Sequence, residues 1–220
     1  MKYIFPLFLL LCSLNLVSQS VFFKTGVNRT SYDYTNSLNK KNLNIQSSSG
    51  SFYEIGYIFP IKAKKYGQVS KLNLYTSLNI DQFNATGGNT MDNYEWNTSY
   101  LGLKSNIRYT VFGIDDFVEL ALKGGVSLHK ILNGKQKIGG NTYNLSDNDE
   151  FNSLMFSPNI GLDFTFGLYD DVFLNIGLDF SKVTSLSRNG DQSKDPIVIV
   201  NKESLSFNNT QIGFGLTINL

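Results

Sequence analysis

The sequence predicts an all-β protein, an eight-stranded antiparallel β-barrel of the transmembrane up-and-down type. Three observations predict it. Apolar and polar residues alternate with a period of two over eight segments of the 220-residue chain, and that period indicates strands. Short and long connections alternate between the segments, and glycines collect on the polar face of the predicted strands. We therefore expect a closed barrel whose apolar face points outwards.

Residues 1–20 carry the features of a cleaved signal peptide. Lys2 precedes a mostly apolar stretch, and Ser18 and Ser20 place small residues at the positions that a signal peptidase reads. The stretch has about 14 apolar residues, fewer than the roughly 20 of a membrane-spanning helix, which argues against a retained anchor. We expect cleavage after Ser20 and one mature domain over residues 21–220.

Charge excludes one class of partner. The 19 basic residues less Lys2 of the signal peptide equal the 18 acidic residues, so the mature chain is formally neutral. A neutral chain lacks the basic footprint of a nucleic-acid-binding protein. We expect no nucleic-acid partner.

The connections fall into two kinds. The predicted strands cover residues 21–34, 51–60, 71–83, 94–112, 117–129, 153–168, 172–184 and 204–220. Shorter turns are predicted at residues 61–70, 113–116 and 169–171, and long polar loops at 35–50, 84–93, 130–152 and 185–203. Because the two kinds alternate strictly, one end of the sheet carries turns and the other carries loops, as in barrels with periplasmic turns and extracellular loops.

A repeated hexapeptide predicts one hairpin in detail. Asn-Ile-Gly-Leu-Asp-Phe occurs at residues 159–164 and again at 175–180. Opposed residues of an antiparallel pair share a face, so a three-residue turn at 169–171 sets Leu168 opposite Val172.

This register gives the repeat a physical reason. It places Asp163 opposite Gly177 and Asp179 opposite Gly161, so each carboxylate has a glycine beside it that leaves room. Glycine weakens an ordinary strand, and its recurrence on the polar face indicates a confined space there.

Two orientations of the sheet are compatible with alternation alone. A soluble lipocalin-like barrel or sandwich would turn the apolar face inwards. Glycines on the polar face, and strands that reach the roughly 9 to 11 residues needed to cross a bilayer, favour the opposite orientation. Aromatic residues are then expected at headgroup level, Tyr109 and Tyr169 at the turn end and Tyr32, Tyr34, Tyr94 and Trp96 at the loop end.

Charged residues occupy the inward phase of the strands. They are Lys24, Glu54, Asp81, Lys104, Arg108, Glu119, Lys123, Asp163 and Asp179. Eight strands enclose a space that side chains can fill, so we expect these charges to pair as a polar plug. A gated path for protons or small ions is the alternative.

One ion pair is predicted from a turn. We expect Phe112 opposite Phe117, which sets Thr110 opposite Glu119 and brings the diagonal Arg108 within reach of that carboxylate.

A catalytic site has little support in the sequence. His129, the only histidine, follows Ser127 on one face near the loop-end rim, and Asp147, Asp149 or Glu150 could complete a hydrolytic triad. That arrangement would define a lipid-modifying enzyme, whereas the simpler reading is a histidine that faces solvent or headgroups. We expect no enzyme, no cofactor and no metal site, since histidine and cysteine clusters are absent from the sequence.

Three short motifs resemble those of a known family. Lys-Thr-Gly-Val-Asn at residues 24–28, Tyr-Leu-Gly-Leu-Lys at 100–104 and Gln-Ile-Gly-Phe-Gly at 211–215 resemble the small outer-membrane β-barrel domain proteins of Bacteroidota, the PorT-like family. The resemblance implies a barrel in the outer membrane, in a family that includes a protein associated with type IX secretion, and it supplies no catalytic residues.

The long loops are the predicted functional surface. Residues 130–152 and 185–203 are rich in Asn, Ser, Gly and Asp, which suit polar contacts. We expect a structural, binding or assembly role, with outer-membrane lipid around the barrel and other envelope or secretion proteins at the loops.

Overall fold

The computed structural model describes residues 19–35, 40–41, 44–61, 71–88, 93–114, 117–147, 149–186 and 204–220. Residues 1–18 of the predicted signal peptide and 187–203 of the last predicted loop lie outside these ranges. Ser20, the last residue of the predicted signal peptide, pairs with Ile58 and Asn219 in the barrel.

The described chain is built almost wholly from strands. They are β1 (Ser20–Thr35), β2 (Ile45–Pro60), β3 (Leu72–Gly87), β4 (Tyr94–Ile114), β5 (Val118–Ile138), β6 (Asn141–Asn144), β7 (Met155–Tyr169), β8 (Val172–Ser185) and β9 (Ser204–Asn219). A 3-10 turn (Leu145–Asp147) and a short helix, α1 (Asp149–Asn152), connect β6 to β7. Neither of these two helical segments of the described chain is long and apolar enough to cross a membrane.

Eight of these strands close into a barrel. Each pairs antiparallel with the next, β5 pairs with β7, and β9 pairs with β1, while β6 lies beside β5 alone. The predicted eight-stranded antiparallel fold is confirmed. The predicted loops are partly strand, because β2 already begins at Ile45, β3 continues to Gly87, and β5 continues to Ile138 before it turns back into β6.

The register fixes the dimensions of the barrel. Following paired residues once around the sheet leads from Thr30 through Asn209, Ser181, Asn159, Gly125, Asn106, Tyr75 and Ile58 to Ser20. The path returns to β1 ten residues away from its start (30 − 20), so the shear is 10. With strands about 4.8 Å apart and about 3.3 Å per residue, this shear gives a strand tilt of about 41° and a backbone radius of about 8 Å.

The hairpin of the repeated hexapeptide has the predicted register and a different turn. Asp163 lies opposite Gly177 and Asp179 opposite Gly161, as predicted. The predicted pairing of Leu168 with Val172 is wrong, because Tyr169 takes that place and Leu168 forms a bulge. A two-residue turn plus one bulged residue has the same length as the predicted three-residue turn, so the strand register is unchanged.

The β4–β5 hairpin departs from its predicted register. Glu119 lies opposite Gly113, whereas the prediction set it opposite Thr110, which in fact pairs with Ala121. The predicted pairing of Phe112 with Phe117 is also wrong, since Phe112 pairs with Leu120. The hairpin is longer than predicted and contains a bulge, neither of which alternation alone reveals.

The outer face carries an apolar belt that begins at the turn end. We call the following exposed side chains the apolar belt: Phe23, Val27, Tyr53, Ile55, Tyr57, Leu78, Ile80, Leu101, Leu103, Ile107, Tyr109, Leu122, Val126, Leu128, Ile160, Phe164, Ile176, Phe180, Ile212, Phe214, Leu216 and Ile218. Nearer the loop end, outward positions become polar or charged: Arg29, Ser31, Asp33, Gln82, Asn84, Asn97, Lys135, Lys137, Lys182 and Asn208.

The inner face shows the opposite change. Beside the belt it is polar, but towards the loop end it becomes a buried apolar cluster of Tyr32, Phe83, Ala85, Trp96, Tyr100, Ile131, Leu145, Phe151, Met155, Val183, Leu205 and Phe207. We call this loop-end part of the barrel, polar outside and apolar inside, the crown. Polarity therefore reverses on both faces at one height along the strands.

The crown overturns part of the predicted aromatic belt. Tyr32 and Trp96 were expected at headgroup level, yet they lie inside the barrel with 7% and 5% of their surfaces exposed. Their rings pack edge to face, with centroids 5.4 Å apart. At the turn end, Tyr109 and Tyr169 point outwards and are exposed, as expected.

Substituting Gly161 tests the crowding of the inner face. A Cβ at Gly161 would lie 2.7 Å from the carbonyl oxygen of Leu178, so Gly161→Ala should lower the free energy of unfolding by about 1–3 kcal/mol. Gly124→Ala is the matched control, because its Cβ would meet only the carbonyl oxygen of Asn159, at 3.8 Å. Urea titration followed by the fluorescence of the single tryptophan, Trp96, measures both changes. Equal stabilities for the two variants would contradict the packing described.

Candidate functional site

The lumen beside the apolar belt is centred on a buried lysine. Lys123 Nζ lies 3.0 Å from Asp163 Oδ1 and 2.9 Å from Asp179 Oδ2. Lys24 Nζ, which enters the lumen from β1, approaches the same Asp163 oxygen at 2.8 Å. All four side chains are nearly inaccessible to solvent. Two lysines and two carboxylates thus form one cluster that links β1, β5, β7 and β8.

An aromatic ring lies against this cluster. The ammonium groups of Lys24 and Lys123 lie 6.0 and 5.4 Å from the centroid of Tyr75. Tyr75 in turn stacks on Phe22, with centroids 4.1 Å apart. A ring face attracts cations most strongly where water is excluded, so Tyr75 adds to the stabilisation of both lysines.

Two further ion pairs occupy the lumen. Lys104 Nζ lies 3.3 Å from Glu54 Oε2, and Ser77 Oγ donates to the other Glu54 oxygen at 2.5 Å. Nearer the turn end, Arg108 donates to Glu119 at 2.8 Å and to Thr165 Oγ1 at 3.2 Å. The contact between Arg108 and Glu119 forms even though the register predicted for their hairpin was wrong, because the long guanidinium side chain spans the difference.

The ninth predicted inward charge, Asp81, lies closer to the crown. Gln211 donates to its Oδ1 at 2.7 Å, and Asn79 donates to its Oδ2. His129 Nδ1 lies 3.5 Å from the same Oδ2, and the imidazole packs edge-on against Phe83. Asp81 therefore accepts hydrogen bonds from side-chain amides of β3 and β9 rather than from a lysine, and it lies beside His129 of β5.

His129 does not lie where either sequence-based alternative set it. It was expected to face solvent or headgroups, but it is 4% exposed and points into the lumen. Ser127 lies on the same face and accepts a hydrogen bond from Asn159 at 3.1 Å, rather than one involving the imidazole. Asp147 is exposed beyond β6, where Asn144 donates to it. The side chains of Asp149 and Glu150 lie outside the described residues, and the acid beside His129 is Asp81.

Little empty space remains around His129. The cavity that His129 lines together with Asp81, Ser127 and Asp179 has a volume of about 10 Å³. That is room for about one water molecule. On its loop side, the rings of Phe83 and Phe207 pack against each other at a tilt, with centroids 4.7 Å apart. The lumen is therefore filled by side chains between the charged cluster and the crown.

Sequence reasoning found the charged members of the lumen and missed the neutral ones. Gln211, Asn79 and Ser77 hold the carboxylates of Asp81 and Glu54, yet none of them was singled out. The sequence did carry a signal for these three residues, because each occupies an inward position that alternates with belt residues on its own strand. Following the same phase towards the loop end would also have found the apolar interior of the crown.

No protein-family model and no curated protein matches the chain. Among solved structures, Neisserial surface protein A is 11% identical with a TM-score of 0.46, over 90% of this chain and 96% of that one. Ail of Yersinia pestis is 9% identical with a TM-score of 0.41, over 91% and 99%. PagL, described as an outer membrane enzyme, is 11% identical with a TM-score of 0.38, over 86% and 97%. Likeness at this level carries nothing about role.

Removing the central lysine tests the plug. Lys123→Met leaves Asp163 and Asp179 buried beside each other without their shared cation, and should lower the free energy of unfolding by about 3–5 kcal/mol. Adding Asp179→Asn to Lys123→Met should recover much of the loss, because Asp163 keeps its ion pair with Lys24 and the unpaired carboxylate is removed. Urea titration measures each variant.

An exposed lysine provides the control for this series. Lys137 lies 3.8 Å from Glu95 on the outer face of the crown. Lys137→Met should change the free energy of unfolding by less than about 1 kcal/mol, because water screens the pair. A cost for Lys123→Met as small as that of Lys137→Met would contradict a stabilising cluster.

Proposed function

We propose that this chain is an integral outer-membrane barrel whose lumen is a structural plug and whose loop end serves binding or assembly, without catalysis. The observation that carries the proposal is the reversal of polarity on both faces of the strands. Where the outer face is apolar, the inner face holds paired charges, and where the outer face is polar, the inner face is a water-excluding core. Such a reversal suits strands that leave hydrocarbon and enter water.

The height of the belt supports a membrane. On β5, outward-facing apolar residues extend from the half-buried Val118 through the belt to Leu128, a span of ten residue steps. At the tilt given by the shear, ten steps rise about 25 Å, the height of the apolar band of outer-membrane barrels. A soluble barrel would instead expose this whole band to water, far more apolar surface than monomeric soluble proteins carry in one patch.

The contents of the lumen support a plug rather than an ion path. Eight of the nine predicted charges are held in ion pairs at 2.8–3.3 Å, and the aromatic rings of the crown lie across the axis on the loop side. A hydrated ion would have to separate these pairs and displace these rings. The ion path is the alternative that conductance distinguishes.

The surroundings of His129 support a role other than catalysis. Hydrolysis by a triad needs a hydroxyl within hydrogen-bond reach of the imidazole and space for substrate beside it. Ser127 is bonded to Asn159, and the adjoining cavity holds about one water molecule. A lipid-modifying reaction at this position would require the lumen to rearrange.

The loop end is the remaining surface for partners. The β5–β6 hairpin extends beyond the closed part of the barrel, and its side chains are mostly polar and exposed. The resemblance to the Bacteroidota outer-membrane barrels suggests envelope proteins, including those of type IX secretion, as the class of partner. Outer-membrane lipid is the partner of the apolar belt.

Spin labels test the membrane boundary. Ile176 points outwards in the belt, and Thr184 lies eight residues further along β8 in the same phase, above the belt. In lipid vesicles, a nitroxide on Ile176→Cys should be relaxed mainly by dissolved oxygen, and one on Thr184→Cys mainly by a water-soluble nickel chelate. Equal exposure of both labels to the chelate would refute a membrane-spanning belt.

Conductance tests the plug in the same preparation. Vesicles in which the Ile176 label reports insertion should give planar bilayers without discrete channel openings, because the charge pairs and the aromatic rings fill the lumen. Reproducible single-channel steps from inserted protein would contradict the plug and support the ion path.

A further inference from the structure

We propose that a groove on the outer wall between β7, β8 and β9 binds the phosphate headgroup of an anionic membrane lipid. The groove has a volume of about 480 Å³, and its lining includes Ile160, Phe180, Lys182, Asn208 and Thr210. Apolar side chains lie on its belt side and polar ones on its crown side. The inference rests on the proposed membrane location and adds a specific ligand class to it.

The groove lies at the height where the belt ends. Because the strands tilt, two residues that pair across neighbouring strands do not lie at the same height along the barrel axis. With a shear of ten residues over eight strands, the residue at equal height is displaced by 1.25 residues from the paired residue for each strand crossed. Arg29, the first charged residue above the belt on β1, pairs through Thr210 with Phe180, two strands away. Two strands give a displacement of about 2.5 residues from Phe180. The residue of β8 at the same height as Arg29 is therefore Lys182.

The same construction finds a third cation at this height. From Phe180 the paired residues continue to Ile160 on β7 and Gly124 on β5, four strands from Arg29. A displacement of about five residues then leads to His129, which points inwards, and its outward neighbour is Lys130. Arg29, Lys130 and Lys182 thus form a basic rim at the upper edge of the belt, the level of lipid phosphates in the proposed orientation.

Lys182 is the member of this rim that is left for a ligand. Lys130 donates to the carbonyl oxygen of Asn152, and Arg29 donates to Ser47 Oγ. Within the described ranges Lys182 is exposed and makes no ion pair or hydrogen bond. An ammonium group at the edge of an apolar band gains most from an anion held at that same height.

A break in the sheet shapes the groove. The β7–β8 ladder has pairs at Phe156 and at Asn159 but none at the two residues between them. One of those residues is Pro158, which has no N–H to donate to β8 and therefore interrupts the ladder. Pro158 lines the groove beside this gap in the ladder.

Exposed side chains of both kinds face the groove. Ile160 and Phe180, 62% and 47% exposed, can contact the acyl chain of the lipid. Asn208 pairs with Lys182 across β8 and β9 and is also exposed, so its side-chain amide can donate a hydrogen bond to the phosphate beside the ammonium group. The side chains of Asn159 and Asn209 lie on the inner face of these strands and take no part in the site.

Lipid retention in native mass spectrometry tests the groove. The protein is released from micelles that contain equal amounts of dimyristoyl phosphatidylglycerol and dimyristoyl phosphatidylcholine, which have identical chains. The unmodified protein should retain phosphatidylglycerol in preference, and Lys182→Gln should lower that retention about fivefold, the effect of one interfacial cation. Lys135→Gln removes the same charge from the exposed face of the crown, further from the belt, and should leave retention unchanged.

The outcomes separate this proposal from the membrane proposal. Equal retention of the two lipids, or equal retention by Lys182→Gln and the unmodified protein, overturns the headgroup site. If spin-labelled Ile176→Cys shows normal insertion in those samples, the membrane proposal survives that result. Failure of the unmodified protein to insert would overturn both.

Discussion

Closure of eight strands with a shear of ten leaves a backbone radius of only about 8 Å, and the rest of the molecule depends on this dimension. The interior has room for side chains but not for bulk water, so every buried charge needs a protein partner. Lys123 between Asp163 and Asp179 is the clearest result of that requirement. The glycines opposite those two carboxylates supply the space that the cluster occupies.

The same strands form two regions of one barrel, the belt region and the crown, and the polarity of the inner and outer faces is opposite in the two. Alternation continues in one phase along β1, so that Phe23 and Arg29 both point outwards while Lys24 and Tyr32 both point inwards. The period of two is a property of the backbone, whereas the polarity of each face depends on the solvent outside. The change from belt to crown therefore needs no break in the strands. It places the aromatic interior of the crown directly on the polar plug.

Alternation, glycine placement and connection lengths were sufficient to predict the barrel, its strand number and the inward set of charges. They could not locate the bulges at Leu168 and Val111, because an extra residue changes the register without changing the local composition. Trp96 was misplaced for a different reason. Sequence patterns predicted a single inward polarity for the whole strand, and this barrel has two. The exposure of His129 was mispredicted as well, since its burial depends on contacts with Asp81 and Phe83 from a distant strand.

The crown also sets how far the loops stand from the bilayer. From Lys130 to Ile138, β5 continues for eight residue steps above the belt, which rise about 20 Å along the barrel axis. A globular partner could therefore rest on the flank of the protein without displacing a single lipid. Substitutions in the loops would lie a full nanometre or more above the belt, so the loop-end surface can change while the outer and inner faces of the belt region stay the same.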